Sequence, residues 1–332
     1  MNTNCRYIDS SGKIKREANS IIFRNSEDDK MNILVETTKE IYFLSEVELN
    51  SSFLNFVGKN GLTLHFFDYY GNYTGSFYPR EKYLSGRITV NQVKAFEEKR
   101  MEFAKNIVNG IGENIREVVS KYDRSEKVKE LIDYIDDDMK YSIDEAQDIK
   151  ELLFVEGGIW NRFYITFDQI LNKDFEFEKR TKRPPKNPLN ALISFGNSIL
   201  YSKCVSQIYL SHLNPTISFL HEPMERRFSL SLDLSEVFKP VIVFKTIINL
   251  VNKRMIDVNK HFDNELNYCI LNKEGKRIYI KALEERLKET YLHPKLKRNV
   301  TYLNSIKLDA YKLIKAIVEE QEFIPFSLKN KY

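Results

Sequence analysis

The sequence predicts an α+β protein in which a small antiparallel β domain, of sandwich or roll type, precedes a larger all-α domain. The 332 residues match the length of two average domains. Short apolar segments separated by Asp, Asn, Ser and Gly occupy about the first 85 residues, whereas apolar residues recur at helical spacing from Asn91 onward. We therefore divide the chain into residues 1–88 and 89–332.

The amino-terminal segments have the composition of strands bounded by turn residues. We expect residues 49–57 to form a short helix among them. The strands are predicted at 20–23, 32–35, 40–44 and within the aromatic run 62–70.

The carboxy-terminal segments keep an apolar period close to 3.6 residues, which predicts amphipathic helices. Pro184 and Pro185 interrupt the pattern, because consecutive prolines do not fit inside a helix, so a loop precedes the helix that begins near Pro188. Residues 273–280 are predicted as a minor strand or turn. The helices are predicted at 126–136, 144–172, 188–212, 234–253 and 303–318.

The composition excludes some classes of protein. With 51 basic and 47 acidic residues the net charge is only +4, so the chain is no histone-like polycation and any nucleic-acid contact must come from local basic patches. The three cysteines are widely separated, which fits a reducing compartment. No run approaches 18 apolar residues, and we expect a soluble, cytoplasmic protein without a membrane partner.

Glu156 is the first candidate site residue. It lies four residues after Leu152 and four before Trp160, on the apolar stripe of a predicted helix rather than on its polar face. A buried carboxylate must be neutralised, paired or bound to metal. The alternative to metal is an ordinary ion pair with Arg or Lys.

A second group of candidates lies within residues 221–236. His221, Asp233 and Glu236 together offer the ligand types of a hard-to-borderline cation with open positions. Two plainer interpretations remain open. Asp233 and Glu236 have the spacing of a capping box at the start of a helix, and His221 follows an apolar segment, as a buried structural histidine does.

These residues belong to an ordered set of motifs that resembles the CRISPR-associated integrase family, the first of the two universal CRISPR adaptation proteins. The resemblance extends from about residue 7 to residue 328, and the amino-terminal motifs resemble the type I-B branch. The motifs are VEG at 155–157, NPLNAL at 187–192, LNP and FLHEP within 213–223, LDLSEVFKP at 232–240, and GKIKREAN, SEVELN, HFFDYYG and FYPRE at 12–19, 45–50, 65–71 and 77–81.

The resemblance implies a homodimer with a catalytic helical domain that binds metal. The family's metal ligands, a Glu, a His and a second acid, fall on Glu156, His221 and Glu236, and Mg²⁺ or Mn²⁺ is the implied cofactor. We assign Asp233, Asn187 and Asn190 to supporting positions around them. The chain departs from the family where it has Trp160 in place of the usual Arg, and Phe244 where an Asp is expected.

Basic residues near these motifs are candidates for DNA phosphate contacts. The alternative for each cluster is an ordinary solvated surface. The predicted DNA-binding residues are Lys179, Arg180, Lys182, Arg183 and Lys186 before the NPLNAL helix, Arg226 and Arg227 between the candidate ligands, and Lys295, Lys297 and Arg298 near the carboxyl end.

The resemblance implies that the protein inserts short foreign DNA fragments into a repeat array by transesterification, acting on double-stranded and branched DNA together with a second CRISPR adaptation protein. We expect residues 1–88 to mediate self-association through exposed aromatic side chains within 62–73 and at 77–78, unless these side chains only fill that domain's own core. One alternative function is a branched-DNA repair nuclease with the same site. The other is an inert DNA-binding scaffold, against which the complete set of candidate ligands argues.

Overall fold

The computed structural model describes residues 5–79, 85–182, 184–223, 228–265, 267–319 and 321–331. The chain divides into two compact units, Met1–Lys82 and Tyr83–Tyr332. The predicted order of a strand-rich domain followed by a larger helical domain is confirmed. Within the described ranges, no helix is both long and apolar enough to cross a membrane.

The amino-terminal unit is built from two four-stranded sheets, ordered β1-β5-β7-β8 and β4-β3-β2-β6. One cluster of buried side chains, including Ile14, Ile41 and Phe53, draws on both sheets and on helix α1. The predicted short helix is present. The elements are β1 (Cys5–Ile8), β2 (Gly12–Glu17), β3 (Ser20–Asn25), β4 (Lys30–Ile33), β5 (Glu40–Phe43), β6 (Val47–Glu48), α1 (Ser51–Lys59), β7 (Thr63–Phe67) and β8 (Tyr73–Phe77).

The amino-terminal domain is not purely antiparallel as predicted, because β5 pairs in parallel with both β1 and β7, and β2 pairs in parallel with β6. Parallel neighbours need a crossover connection, and α1 provides one between β5 and β7. The Asn50 side chain accepts a hydrogen bond from the Phe53 N–H (2.9 Å) and so starts that crossover helix. The unit therefore contains two mixed sheets.

The carboxy-terminal unit is predominantly helical. It is not all-α as predicted, since two short antiparallel hairpins, β9–β10 and β11–β12, lie among its helices. Its elements are α2 (Gly86–Val119), α3 (Glu126–Asp133), α4 (Met139–Glu145), α5 (Ile149–Ile165), α6 (Phe167–Ile170), α7 (Pro188–Tyr209), α8 (Ser229–Lys239), α9 (Lys245–Asn252), β9 (Phe262–Glu265), β10 (Tyr268–Leu271), α10 (Lys273–Lys288), β11 (Thr290–Leu292), β12 (Asn299–Thr301) and α11 (Tyr302–Val318).

The prediction of a strand or turn over residues 273–280 is wrong, because this segment begins helix α10. The Asn272 side chain caps the helix by accepting a hydrogen bond from the Gly275 N–H (2.9 Å). Tyr279, Leu283 and Leu287 then lie buried on one face at helical spacing. The short apolar run Ile278–Ile280 is ambiguous by itself, and the amphipathic pattern that follows it decides for the helix.

Helix α8 packs against both α2 and α7 in the core of this unit. After Lys239, the chain forms a π-helical turn over Pro240–Phe244 before α9. Proline lacks the N–H that the next α-helical hydrogen bond would need, so the register widens at this point. The segment predicted as one helix over 234–253 is thus continuous but irregular in its middle.

The segment after α11, residues 323–328, packs near the side of α8 that carries Val237 and Phe238. Asn114 on α2 donates hydrogen bonds to the Val237 carbonyl (3.0 Å) and to the Phe326 carbonyl (2.9 Å). The side-chain oxygen Asn114 Oδ1 accepts from the Leu328 N–H (2.8 Å), while the buried Asp309 carboxylate accepts from the Phe326 N–H (2.6 Å). The Phe326 ring stacks on Phe238, with centroids 4.9 Å apart. Helix α8 is therefore held at its back by residues near the carboxyl end.

Candidate active site

Glu156 projects from the middle of α5, a helix that starts at the cap Asp148. The Asp148 carboxylate accepts the Glu151 N–H (2.9 Å), which sets the register of the helix. Leu152 and Trp160, one turn to either side of Glu156, are both buried. Glu156 therefore lies on the face of α5 that packs against the core. The Trp160 indole N–H donates a hydrogen bond of 2.6 Å to Glu156 Oε1.

His221 lies in the loop before α8 and is held by Asp233. One Asp233 oxygen accepts the N–H groups of Phe219 (2.6 Å) and Leu220 (3.0 Å). The other accepts the His221 N–H (3.0 Å) and is 2.8 Å from His221 Nδ1. This partner selects the tautomer with the proton on Nδ1, which leaves the Nε2 lone pair available to a ligand.

The interpretation of Asp233 as a helix cap is wrong, because α8 begins at Ser229 and Asp233 lies inside it. Its side chain is fully buried, and it fixes the 219–221 loop onto the helix. From the α2 side, Arg100 donates to the Phe219 carbonyl (3.0 Å) and to Glu222 (2.7 Å). The position of His221 is thus determined from two helices.

Glu236 follows Asp233 by one helical turn and is nearly buried. Its carboxylate forms an ion pair with Lys239, three residues further along α8. The Lys239 ammonium lies 5.9 Å from the centroid of the Trp160 ring, so it also faces α5. Lys239 therefore lies between the residues carried by the two helices.

The electrostatics link the three candidate ligands. Burial, followed by the charge of Glu236, raises the pKa of Glu156 to about 7, against the opposing charges of Lys239 and His221. Burial lowers the pKa of His221, but the hydrogen bond and charge of Asp233, with the charges of Glu236 and Glu156, outweigh it and leave this pKa raised. Two carboxylates and an imidazole thus share one poorly solvated region, and the charge of each affects the others.

Within the described ranges, no three His, Cys, Asp or Glu side chains are arranged closely enough to hold a metal ion directly. Glu156 is hydrogen-bonded to Trp160, and Glu236 is paired with Lys239. Protein donors therefore occupy one oxygen of each acid.

Among the predicted DNA-binding residues, Lys182 is affected by the charges of Glu236 and Glu156. Partial burial and the charges of Lys239 and Arg180 lower its pKa, while Glu236 and Glu156 oppose them. Lys179 and Lys186 are exposed on the same segment. The segment before α7 thus presents three lysines, Lys179, Lys182 and Lys186, beside the candidate site.

Arg180 points inward, unlike the lysines on either side of it. Its guanidinium donates to Asn190 Oδ1 and Ser194 Oγ, both at 2.9 Å. Burial lowers its pKa, and a hydrogen bond to Tyr164 opposes this effect. Arg180 therefore attaches its segment to α7 instead of presenting its charge to solvent.

Asn187 and Asn190 act at the start of α7. Asn187 caps the helix by accepting the Asn190 N–H (2.8 Å). Asn190 is fully buried, accepts the Thr181 N–H (3.1 Å) and donates to the Lys179 carbonyl (2.8 Å). Neither side chain makes a hydrogen bond to Glu156, His221 or Glu236 within the described ranges. They hold the lysine-bearing segment.

The remaining basic candidates lie elsewhere or outside the described residues. Lys295, Lys297 and Arg298 are exposed in the β11–β12 hairpin, whose turn is organised by His293 Nδ1 accepting the Lys295 and Leu296 N–H groups (both 3.2 Å). Arg183, Arg226 and Arg227 lie outside the described residues.

Sequence reasoning did not assign roles to Trp160, Lys239 or Arg100. The first two carry a usable signal, because Trp160 follows Glu156 by four residues and Lys239 follows Glu236 by three, the spacings at which side chains meet on a helix. The two departures from the family pattern also contact each other, with the rings of Trp160 and Phe244 5.5 Å apart. Arg100 is 119 residues from its partner Phe219, and local spacing contains no signal for it.

Residues 6–285 match the family model described as CRISPR associated protein Cas1. The chain belongs to the Cas1 family. It is 43% identical over 324 residues to the CRISPR-associated endonuclease Cas1 2 of Thermodesulfovibrio yellowstonii, covering 96% of this chain and 97% of that relative. The family prediction made from the motifs is therefore confirmed.

Solved structures show the same architecture. A Cas1 protein from Thermotoga maritima superposes with a TM-score of 0.85 at 39% identity, covering 96% of this chain and 98% of that one. A casposase bound to an integration product superposes with a TM-score of 0.88 at 20% identity, covering 99% and 94%. The casposase likeness concerns the fold alone.

Proposed function

We propose that this Cas1-family chain is a metal-dependent DNA integrase and endonuclease that inserts short DNA fragments into a CRISPR repeat array by transesterification. The observation that carries the proposal is the shared, poorly solvated location of Glu156, His221 and Glu236, which come from α5, the 219–221 loop and α8. The relative from Thermodesulfovibrio yellowstonii is named an endonuclease, which agrees with this proposal.

The donor set fits a divalent cation. The charge of Glu236 disfavours ionisation of Glu156, so a positive charge between the two carboxylates would stabilise them, and His221 Nε2 offers a neutral nitrogen. Mg²⁺ prefers an all-oxygen shell, so the histidine favours tolerance of Mn²⁺. When bound by Glu156, His221 and Glu236, the cation would supply acidification of the attacking 3′-hydroxyl and offset charge on the phosphate.

The surrounding residues have their own tasks in this proposal. Asp233 holds His221 in one orientation and one tautomer. Arg180, Asn187 and Asn190 keep the lysine-bearing segment in place. Phosphate contacts from the basic residues fix the position of double-stranded or branched DNA without reading its sequence. The proposed phosphate contacts are Lys179, Lys182 and Lys186, with Arg183, Arg226, Arg227, Lys295, Lys297 and Arg298.

The function is tested by supplying a short duplex with 3′-hydroxyl ends and a plasmid that carries a repeat array, with Mn²⁺ or Mg²⁺. We expect covalently joined products that disappear with a 3′-dideoxy donor or with EDTA. The second CRISPR adaptation protein is included, because we propose it as the partner. Cleavage without any joining in its presence would leave an endonuclease and contradict the integrase.

Neutralising Lys179, Lys182 and Lys186 together should weaken duplex binding and flatten its salt dependence. Each phosphate contact contributes about 0.9 to the slope of log affinity against log salt, so three contacts predict a loss of about 2.7. Fluorescence anisotropy over a salt series measures the slope. Lys129→Gln, Lys140→Gln and Lys150→Gln together form the matched control. An unchanged slope in the first triple variant would identify an ordinary solvated loop.

We further infer that the working form is a homodimer joined through the amino-terminal unit, residues 1–88. Most aromatic side chains of the 62–78 segment are at least partly buried within that unit, but Tyr69 and Tyr70 remain 63% and 45% exposed at the β7–β8 turn. Aromatic side chains of this kind are enriched in interface cores. Sedimentation of the full chain with Tyr69→Ser and Tyr70→Ser, which should shift dimer toward monomer, tests the location.

A further inference from the structure

Trp160 is the single tryptophan of the chain and lies directly at the candidate site. Its indole N–H donates to Glu156 Oε1 at 2.6 Å, and only 7% of the residue is exposed. The donor and the acceptor are on the same helix, one turn apart. The hydrogen bond therefore fixes the rotation of the carboxylate and leaves its second oxygen to other partners.

Packing keeps the indole ring in place. Its centroid lies 5.5 Å from that of Phe244, 5.9 Å from that of Tyr164 and 6.0 Å from that of Phe163. These rings come from α5 and from the π-helical turn after α8. A buried ring with neighbours on several sides cannot rotate its N–H away from Glu156 without disturbing the core.

Lys239 completes a connection between the two helices. Its ammonium pairs with Glu236 on α8 and lies 5.9 Å from the Trp160 ring centroid, within the range of a cation–π interaction. Glu156, Trp160, Lys239 and Glu236 thus form a chain of contacts in which each acid has one protein donor. One donor is neutral and fixed, and the other is charged and carried by a flexible stem.

We infer that Trp160 and Lys239 are positioning residues that keep the cation site assembled in the metal-free protein, the first as a donor that stays on Glu156 and the second as a placeholder that the cation displaces from Glu236. This inference rests on the proposed metal-dependent function. It extends that function by assigning opposite effects to the two residues. Loss of Trp160 misorients a ligand, whereas loss of Lys239 removes a competing positive charge.

The test measures binding of Mn²⁺ alone to the full chain without DNA, from the electron paramagnetic resonance signal of the free ion. Trp160→Phe keeps a large ring but no N–H, and should weaken Mn²⁺ binding about 10- to 100-fold. Lys239→Met keeps the stem without the charge, and should tighten binding about tenfold. Phe175→Leu, which removes a buried ring that packs on Phe262, is the matched control and should stay within about twofold.

Emission from Trp160 gives a second readout, because a bound paramagnetic ion beside the only indole quenches its fluorescence. Saturable quenching is expected in the wild type, at lower Mn²⁺ in Lys239→Met, and not in Glu156→Gln. Equal dissociation constants for Trp160→Phe and wild type, or weaker binding by Lys239→Met, would overturn the inference alone. A wild-type chain that binds no Mn²⁺ would overturn the metal-dependent function together with it.

Discussion

Glu156→Gln should abolish DNA joining while making the metal-free protein more stable at alkaline pH. The amide keeps the shape of the side chain but cannot supply a charged ligand, and the loss of joining should reach about 10³-fold or more. Burial and the neighbouring Glu236 raise the pKa of Glu156 to about 7, so its ionised form is costly in the folded protein. The variant removes that cost.

The sign and the pH window follow from the two states. The unfolded chain ionises Glu156 at the ordinary pKa of 4.5 and the folded chain at about 7. As pH rises between these values the unfolded state loses its proton first, so ionisation favours unfolding progressively and fully above pH 7. The unfolding free energy of Glu156→Gln should therefore exceed that of the wild type by about 3 kcal/mol at pH 8, and the two should be equal below pH 4.5.

Urea unfolding with EDTA at pH 8 and pH 4.5 measures this difference, and the joining assay measures activity. Glu130→Gln, at an exposed position on α3, is the matched control and should change neither quantity. Joining at the wild-type rate would remove Glu156 from the site. A loss of stability at pH 8 would contradict the buried, repelled carboxylate.

Asp233→Asn should destabilise the fold strongly and reduce joining less than Glu236→Gln does. The buried Asp233 carboxylate accepts from three backbone N–H groups and faces His221 Nδ1. An amide offers one acceptor oxygen and turns its own N–H groups toward other donors. Leaving buried donors unsatisfied predicts a loss of about 2–4 kcal/mol of unfolding free energy.

The same substitution at Asp148 is the control, because Asn caps a helix about as well as Asp. There the change in unfolding free energy should stay below about 0.5 kcal/mol. Urea unfolding and joining rates are compared for Asp148→Asn, Asp233→Asn and Glu236→Gln. If Asp233→Asn abolished joining at unchanged stability while Glu236→Gln remained active, the roles of the two acids would be exchanged.

The sequence was sufficient to predict the two-part fold and the family, because periodicity and ordered motifs are local properties. It also placed Glu156 on an apolar stripe and grouped His221 with Glu236, and in the structure the charges of these three residues affect one another. Parallel pairing in the amino-terminal sheets was not predictable in the same way. Strand direction depends on the path through α1, which a strand's own composition does not encode.

Other differences arise where one residue has several possible partners. Asp233 has the spacing of a cap, but α8 starts one turn earlier and turns its carboxylate toward loop N–H groups. Arg180 appears in a run of basic residues, yet its guanidinium is hydrogen-bonded to Asn190 and Ser194 on α7 and does not extend into solvent. A charge run in the sequence does not reveal which members face solvent, because that depends on the helix packed behind them.

The packing of the 323–328 segment near α8 affects the order in which the protein folds during synthesis. The hydrogen bond from Asn114 to Phe326 joins residues 212 apart in sequence, and the same amide holds Val237, next to Glu236. Contacts of such separation form late, since a long loop must close first. The β domain can fold while translation continues. In a nascent chain, however, α8 lacks its contacts with the carboxy-terminal segment until Phe326 has been synthesised. The candidate site around Glu236 is therefore completed late in translation.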